Sequence, residues 1–520
     1  MRIPKHWFVV MALALSVGPN LLIMSGFMQI QAIIQNSLNS SSYATMWISI
    51  IANVAFAVCI PLGPVIAHRL GPRLSFCCAV IIAACTFVLS AGSANLLLLG
   101  VSRAIEGALT GTQLMVLIPL LFISYPAERR NRVLGLVLAT LFGSVSLGAI
   151  LGSISQEQDA WRWLFYLCAL CSLAALLAQK GVPQYMFPVP SQPAKDMPKH
   201  RFDTLGVILL FMLGIFTVFA LGNVLPDGVS SPFVYIPAAI SVVLLLLFVF
   251  VELGVPHPIV NFKLVASRRS LLGAVIAIVS NLLMLVAMSG LGFAMKTVGK
   301  VPSNALPTVY CGLVVSVTVA AVLAASLFDR IGAGPLVLVG SACMLWASYR
   351  LMVLGSNVPL DELRILLVLL ASGVGLNFVV GLVTCALGGP LNQLPRTMTV
   401  VQFLRVLFYS TIAPISQWFL NQVTATDTAR DSWGISVANP ATAARLHSLV
   451  EQYATLSGSQ STAKQLAMNV VASRLQSRAA LSSTHHIFFV AFAASACLVV
   501  LSCILLLMGK GPSISHKGEH

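Results

Sequence analysis

The sequence predicts an all-α integral membrane protein of 14 transmembrane helices, ordered six, two and six, with both termini on one side. Three observations carry that prediction. The 520 residues are 58% hydrophobic and only 9% charged, far too little charge to coat a soluble protein of this size. Apolar runs of 18 or more residues recur along the chain, and about 20 helical residues cross a hydrocarbon core of about 30 Å. Finally, a basic turn, Gly63-Pro64-Val65-Ile66-Ala67-His68-Arg69-Leu70-Gly71-Pro72-Arg73, separates two such runs, and a weaker copy, Phe328-Asp329-Arg330-Ile331-Gly332-Ala333-Gly334-Pro335, returns about 260 residues later.

A tight turn carrying cations cannot lie in hydrocarbon, where its backbone groups and charges would go unpaired. Each copy therefore marks a loop on a membrane face. The recurrence implies two related membrane halves, a build common among secondary transporters.

The spans fall at about 8–31, 45–67, 74–93, 95–123, 133–154, 161–180, 204–222, 233–252, 269–295, 304–328, 334–354, 362–387, 398–421 and 486–508. Of the 30 Lys and Arg, eighteen lie on the side of the termini and four in the short loops opposite. Five more fall in the long loop 424–485, and Arg103, Arg350 and Arg405 lie inside spans. The positive-inside rule places the termini and both basic turns in the cytoplasm. The net charge of +15 thus orients the chain in a membrane and does not point to nucleic acid. The eleven Cys all sit in apolar runs, without zinc or redox spacing, and read as small packing residues. The N-terminal run is too long for a cleavable signal core.

Composition divides the chain further. Residues 1–180 form an N-terminal six-helix bundle, and 181–202, with five prolines, Lys195, Lys199 and Arg201, a cytoplasmic linker. Residues 203–252 hold an extra helix pair and 253–268 a cytoplasmic loop; 269–520 form a second six-helix bundle. Its external loop 424–485 reads as a folded cap with short helices at 441–456 and 462–481, because Leu446, Leu449, Val450 and Tyr453 recur at helical spacing.

Glu106 is the one acid deep inside a span. It lies eleven residues past Asn95, a rise of about 16 Å that brings it near the midplane. A charge there costs about 3 kcal/mol, so it needs a partner or a wet cavity. Arg103, three residues earlier on the same face, supplies the partner. The pair reads either as an ion pair locking the bundle or as a protonatable carboxylate tuned by Arg103.

Thr140, Ser144, Gly148 and Gly152 recur every fourth residue and make a small-residue ridge for close helix approach. Ser25, Gln29, Gln31, Asn53 and Gln113 in the first half, with Asn281, Asn377, Gln402, Arg405 and Tyr409 in the second, are candidates for a polar central cavity. Singly, each reads as an interhelical hydrogen bond. Arg405 attracts anions or a substrate carbonyl. His485 and His486, without a Cys or acid at ligand spacing, read as interfacial anchors and not as a metal site.

These features resemble the major facilitator superfamily, within it the fourteen-span drug:proton antiporters of the EmrB/QacA type. The Gly-x-x-x-Asp-Arg-x-Gly-x-Arg/Lys signature is met by Gly63, Arg69, Gly71 and Arg73, with Asp329, Arg330 and Gly332 in the second half. Arg103 and Gly107 match Arg-x-x-Gln-Gly, and Trp161-Arg162-Trp163-Leu164-Phe165 matches a Trp-Arg-Trp-x-Phe entry to the sixth span. The chain departs from the pattern at four points. The signature Asp is His68, which puts a titratable group in the turn, and the first-span Asp falls near Ser25. The fifth-span Gly-Pro is Gly148-Ala149, and the fourth-span Gln is Glu106, as if the proton-binding carboxylate had moved to the fourth span.

The resemblance implies a major facilitator fold in a bacterial inner membrane, no cofactor, and proton-coupled export of drugs or amphipathic metabolites by alternating access. It also implies a periplasmic adaptor protein as a partner. The alternatives are a siderophore or metabolite carrier of other direction or coupling, or a non-transporting sensor or scaffold. No nucleophile–base pair or metal constellation shares one depth, which argues against an enzyme.

Overall fold

The computed structural model describes residues 5–124, 130–180, 203–297, 305–355, 359–389, 393–434, 440–457 and 460–511. The 181–202 linker expected from the sequence lies outside them. The N-terminal half comprises α1 (Lys5–Ser37), α2 (Ser42–Cys59), α3 (Leu62–Leu70), α4 (Pro72–Ala91), α5 (Leu96–Ser124), α6 (Arg130–Glu157) and α7 (Arg162–Lys180). The extra pair is α8 (Thr204–Asp227) and α9 (Pro232–Gly254), followed by a 3-10 turn, Phe262–Val265. The C-terminal half comprises α10 (Arg268–Thr297), α11 (Leu306–Ile331), α12 (Ala333–Met352), α13 (Leu360–Leu387), α14 (Leu394–Gly434), α15 (Pro440–Ser457) and α16 (Gln460–Leu507). The described residues contain no strand.

The protein is a multi-pass, all-helical membrane protein. Twelve of the described helices are long and apolar enough to cross a membrane. α9 shows what their outer faces meet: Phe233, Val243, Leu246 and Phe250 are 62–75% exposed, a surface that suits lipid and not water.

Local chemistry sets the breaks. Asn95 Oδ1 accepts from Leu98 N (2.8 Å) and Ser41 Oγ from Ala44 N (3.2 Å), capping α5 and α2. The second apolar run folds as two helices, α2 and α3, divided at Ile60-Pro61, because proline supplies no N–H to the ladder. The long loop also differs from its expected form. Its first short helix is the separate α15, but residues 462–481 are the first half of α16, which runs unbroken for 48 residues. No Gly or Pro interrupts that stretch, so nothing stops the helix.

The Trp-Arg-Trp-x-Phe entry knits three helices at one end of the N-terminal half. Trp161 Nε1 donates to Ser37 Oγ (2.9 Å), and Arg162 donates to the carbonyls of Ala91 (3.0 Å) and Ser93 (3.3 Å). At the other end lie the two basic turns. Gly71 (φ 81°) and Gly332 (φ 91°) occupy the same place, each between a helix that has just ended and one that starts at the next residue. Positive φ is open to glycine at no steric cost, so the same backbone device serves both halves.

The two halves meet at three levels. Gln29 of α1 donates to the Tyr310 hydroxyl of α11 (3.3 Å), and Phe142 of α6 packs edge to face on Phe378 of α13 (centroids 5.3 Å). Met115 Sδ of α5 accepts from Thr399 Oγ1 of α14 (3.5 Å). α8 lies along this seam and packs on both α2 and α14.

Candidate functional site

Two polar groupings among the described residues are candidates, one inside the N-terminal half and one at the seam. The first is built on α5. Gly107 and Gly111 let α5 lie directly on α2, since a Cβ on Gly107 would strike the Ala52 carbonyl and one on Gly111 would come within 2.5 Å of the Phe56 oxygen. With that face against α2, Arg103 and Glu106 point into the bundle and are 2% and 1% exposed. Arg103 Nη1 donates to Glu106 Oε2, and Ser90 Oγ of α4 donates to Glu106 Oε1 (2.6 Å) while lying 2.7 Å from Ser102 Oγ. The guanidinium rests over the Phe27 ring of α1, 5.3 Å from its centroid, a favourable cation–π geometry. Charge, hydrogen bonds and ring offset part of the desolvation that burial imposes on the pair, while Arg103 Nε has no acceptor among the described residues.

Gln113 lies two turns further along the Glu106 face. It is 1% exposed, and neither end of its amide has a protein partner among the described residues. Buried amides of this kind are usually satisfied by water.

The second grouping centres on Arg405, eleven residues into α14. Its Nε donates to Gln402 Oε1 (2.6 Å) and its Nη1 to Asn281 Oδ1 of α10 (3.1 Å). Its guanidinium lies 5.3 Å from the Phe378 centroid, with Tyr409 one turn on. No carboxylate pairs with Arg405 among the described residues. Both its neighbours are neutral amides, so its charge stays uncompensated within the span. Phe378 is the ring that Phe142 of the other half meets, so this cation sits one side chain from the seam.

The remaining residues singled out in the sequence fall as follows. Gln29 bridges the seam to Tyr310. Ser25 and Asn53 are half-buried, on α1 and α2. Gln31 reaches Ser42 O and Thr45 Oγ1 at the α1–α2 turn. Asn377, fully buried, bonds Ser341 of α12 (2.9 Å) and fills the space over Gly340, so it joins α12 to α13.

The small-residue ridge packs on α1, which carries a matching row. A Cβ on Gly18 would lie 2.9 Å from Ser144 Oγ, and one on Gly152 would lie 2.7 Å from the Gly26 carbonyl. Thr140 and Ser144 turn their hydroxyls back onto the carbonyls of Leu136 and Thr140 (2.8 Å each), which leaves the ridge smooth. In the basic turns, Gly63 fits against Thr112 of α5, while His68, Arg69, Arg73 and Arg330 are exposed. His485 Nε2 meets the Leu354 carbonyl (2.7 Å), tying α16 to the end of α12.

Sequence reasoning missed Phe27, Ser90, Phe142, Tyr310 and Phe378. All five read as ordinary span residues, and only the packing shows what each one faces.

Comparison with known proteins bears on this architecture. A family profile described as Major Facilitator Superfamily matches residues 13–414. The chain is 27% identical over 514 residues to an uncharacterized MFS-type transporter, YubD, of Bacillus subtilis (strain 168), spanning 99% of this chain and 91% of that protein. It is 26% identical over 268 residues to the multidrug export protein EmrB of Escherichia coli (strain K12), spanning 51% of each. Among solved structures, the human organic anion transporter MFSD10 (TETRAN) shares the fold, with a TM-score of 0.57 at 13% identity over 95% of this chain and 100% of that one.

Proposed function

The chain belongs to the Major Facilitator Superfamily, and on that premise we propose that it is a proton-coupled exporter of amphipathic compounds, neutral or anionic, acting by alternating access. The observation that carries the substrate side is Arg405. A guanidinium without a counter-ion, held by two amides and an aromatic ring beside the seam, is suited to bind a carboxylate, sulfonate or polarised carbonyl. Phe378 and Phe142 supply apolar contact for the rest of the cargo.

Rocking of the two halves about this point would expose it to each side in turn. Gln29–Tyr310 and Met115–Thr399 close the seam on either side of Phe142–Phe378, and breaking one contact while keeping the other gives the two access states. Glu106 trades its proton when the N-terminal half opens, and Arg103 holds the charge that the departing proton leaves behind. α5 and α6, 29 and 28 residues long, bring the twelve candidate spans to fourteen. Both termini and both basic turns then face the cytoplasm of a bacterial inner membrane. Export and drug cargo are taken from the multidrug export relatives; a periplasmic adaptor rests on the resemblance of the sequence alone.

A second reading is favoured by the burial of Glu106 at 1% exposure. There the Arg103–Glu106 pair is a structural lock, and transport runs without proton exchange at this carboxylate. Accumulation of labelled anionic and neutral amphiphiles in everted vesicles, with and without a pH gradient, tests the proposal. Gradient-driven accumulation supports it, and accumulation indifferent to the gradient favours the second reading.

A further inference from the structure

The extra helix pair carries a polar feature that its leucine- and valine-rich sequence hides. Asp203 caps α8, its Oδ1 accepting from Gly206 N (2.8 Å). Glu252, in the last turn of α9, is 1% exposed, and its Oε2 accepts from Val260 N (3.0 Å). The second oxygen of each acid, Asp203 Oδ2 and Glu252 Oε1, is buried without a donor among the described residues. These two oxygens converge: a Cβ on Gly206 would lie 2.5 Å from the first and 2.6 Å from the second. Glycine at 206 is what leaves room for them to approach.

Two bare carboxylate oxygens held together away from water repel, whereas one proton between them turns the contact into a hydrogen bond. Among the described residues no donor reaches either oxygen. His257, Lys263, Arg268 and Arg396 are exposed, and Arg269 donates to the carbonyls of Met508 and Gly509. We propose that Asp203 and Glu252 form a proton-binding site at the foot of the extra pair, sharing one proton between Oδ2 and Oε1.

The site has mechanical reach. Val260 leads into the 3-10 turn, whose Phe262 packs on Phe248 of α9, and Phe248 packs in turn on Phe403 of α14. On its other side α8 fits Gly214 against Val58 and Gly222 against Trp47 of α2. The shared proton thus fastens the first turn of α8 to the last turn of α9, in a helix pair that touches both halves.

The test uses the full chain in detergent. Stability conferred by a shared proton is present at low pH and lost as pH rises and the proton leaves. Glu252→Gln and Asp203→Asn each replace the proton by an amide hydrogen, and Asn caps a helix as well as Asp. From about pH 6 to about pH 9 the wild-type melting temperature is expected to fall by ~3 °C more than that of either variant. A protonated-carboxyl infrared band is expected in wild type and lost in both. Parallel pH profiles with no band lost would overturn the site. Stabilisation of wild type at high pH by sodium or calcium, absent in Glu252→Gln, would also overturn it and assign a bound cation instead.

Discussion

Phe142 and Phe378 meet edge to face with centroids 5.3 Å apart, and this one contact joins the N-terminal half to the ring that carries Arg405. The interior is thereby divided. The cation lies beside the seam, whereas the Arg103–Glu106 pair lies inside one half, screened by Phe27 and Ser90. Cargo recognition and proton binding are assigned to different places, coupled through the movement of the helices between them.

Arg405→Ala is expected to weaken anionic amphiphiles selectively. A charge-assisted hydrogen bond contributes about 1.5–3 kcal/mol, so their affinity should fall about 10- to 150-fold while neutral compounds bind nearly as before. Arg405→Lys keeps the charge but loses the planar fork and should fall between. Ligand-induced thermal shifts over a compound panel measure this; equal losses for both classes would remove Arg405 from charge recognition.

Tyr310→Phe removes the acceptor for Gln29 at one end of the seam. A net hydrogen bond of about 1 kcal/mol corresponds to a roughly fivefold shift in population toward the form open at that end. Distances between spin labels on the facing ends of α1 and α11 report the populations. An unchanged distribution would mean that this contact does not gate.

Gly148→Val should destabilise the N-terminal half, because its Cβ would strike the backbone oxygen of Leu22, which cannot rotate away. Overpacking of this sort costs about 1–3 kcal/mol. Gly143→Ala, with open space at the Cβ, should be neutral or slightly stabilising. Melting temperatures of the two variants in detergent separate the predictions.

Arg103→Met strands a buried carboxylate, which costs about 3–5 kcal/mol. Adding Glu106→Leu should restore most of that loss, since an apolar pair satisfies the pocket. If the double variant is no more stable than Arg103→Met, the loss in Arg103→Met does not come from a stranded carboxylate.

Much of this was legible in the chain. Gly71 and Gly332 announced two matching turns, and the eleven residues from Asn95 to Glu106 announced a buried acid with Arg103 as its partner. Elsewhere the signal was absent or misleading. An acid at a span end looks interfacial, so Glu252 gave no hint of being buried. Nothing in a run of Phe and Leu shows that Phe27 covers Arg103 or that Phe142 reaches Phe378, because those pairings depend on helix rotation. The helical spacing of apolar residues in 462–481 reads as a separate short helix, but no Gly or Pro separates it from the span that follows, so the helix runs on.

Transport into proteoliposomes with an imposed pH gradient, comparing wild type with Glu106→Gln, tests the coupling mechanism most directly. The amide preserves shape and hydrogen bonding but cannot exchange a proton. Gradient-driven accumulation is expected to disappear in Glu106→Gln while substrate exchange without a gradient survives. Undiminished gradient-driven transport by Glu106→Gln would contradict that mechanism.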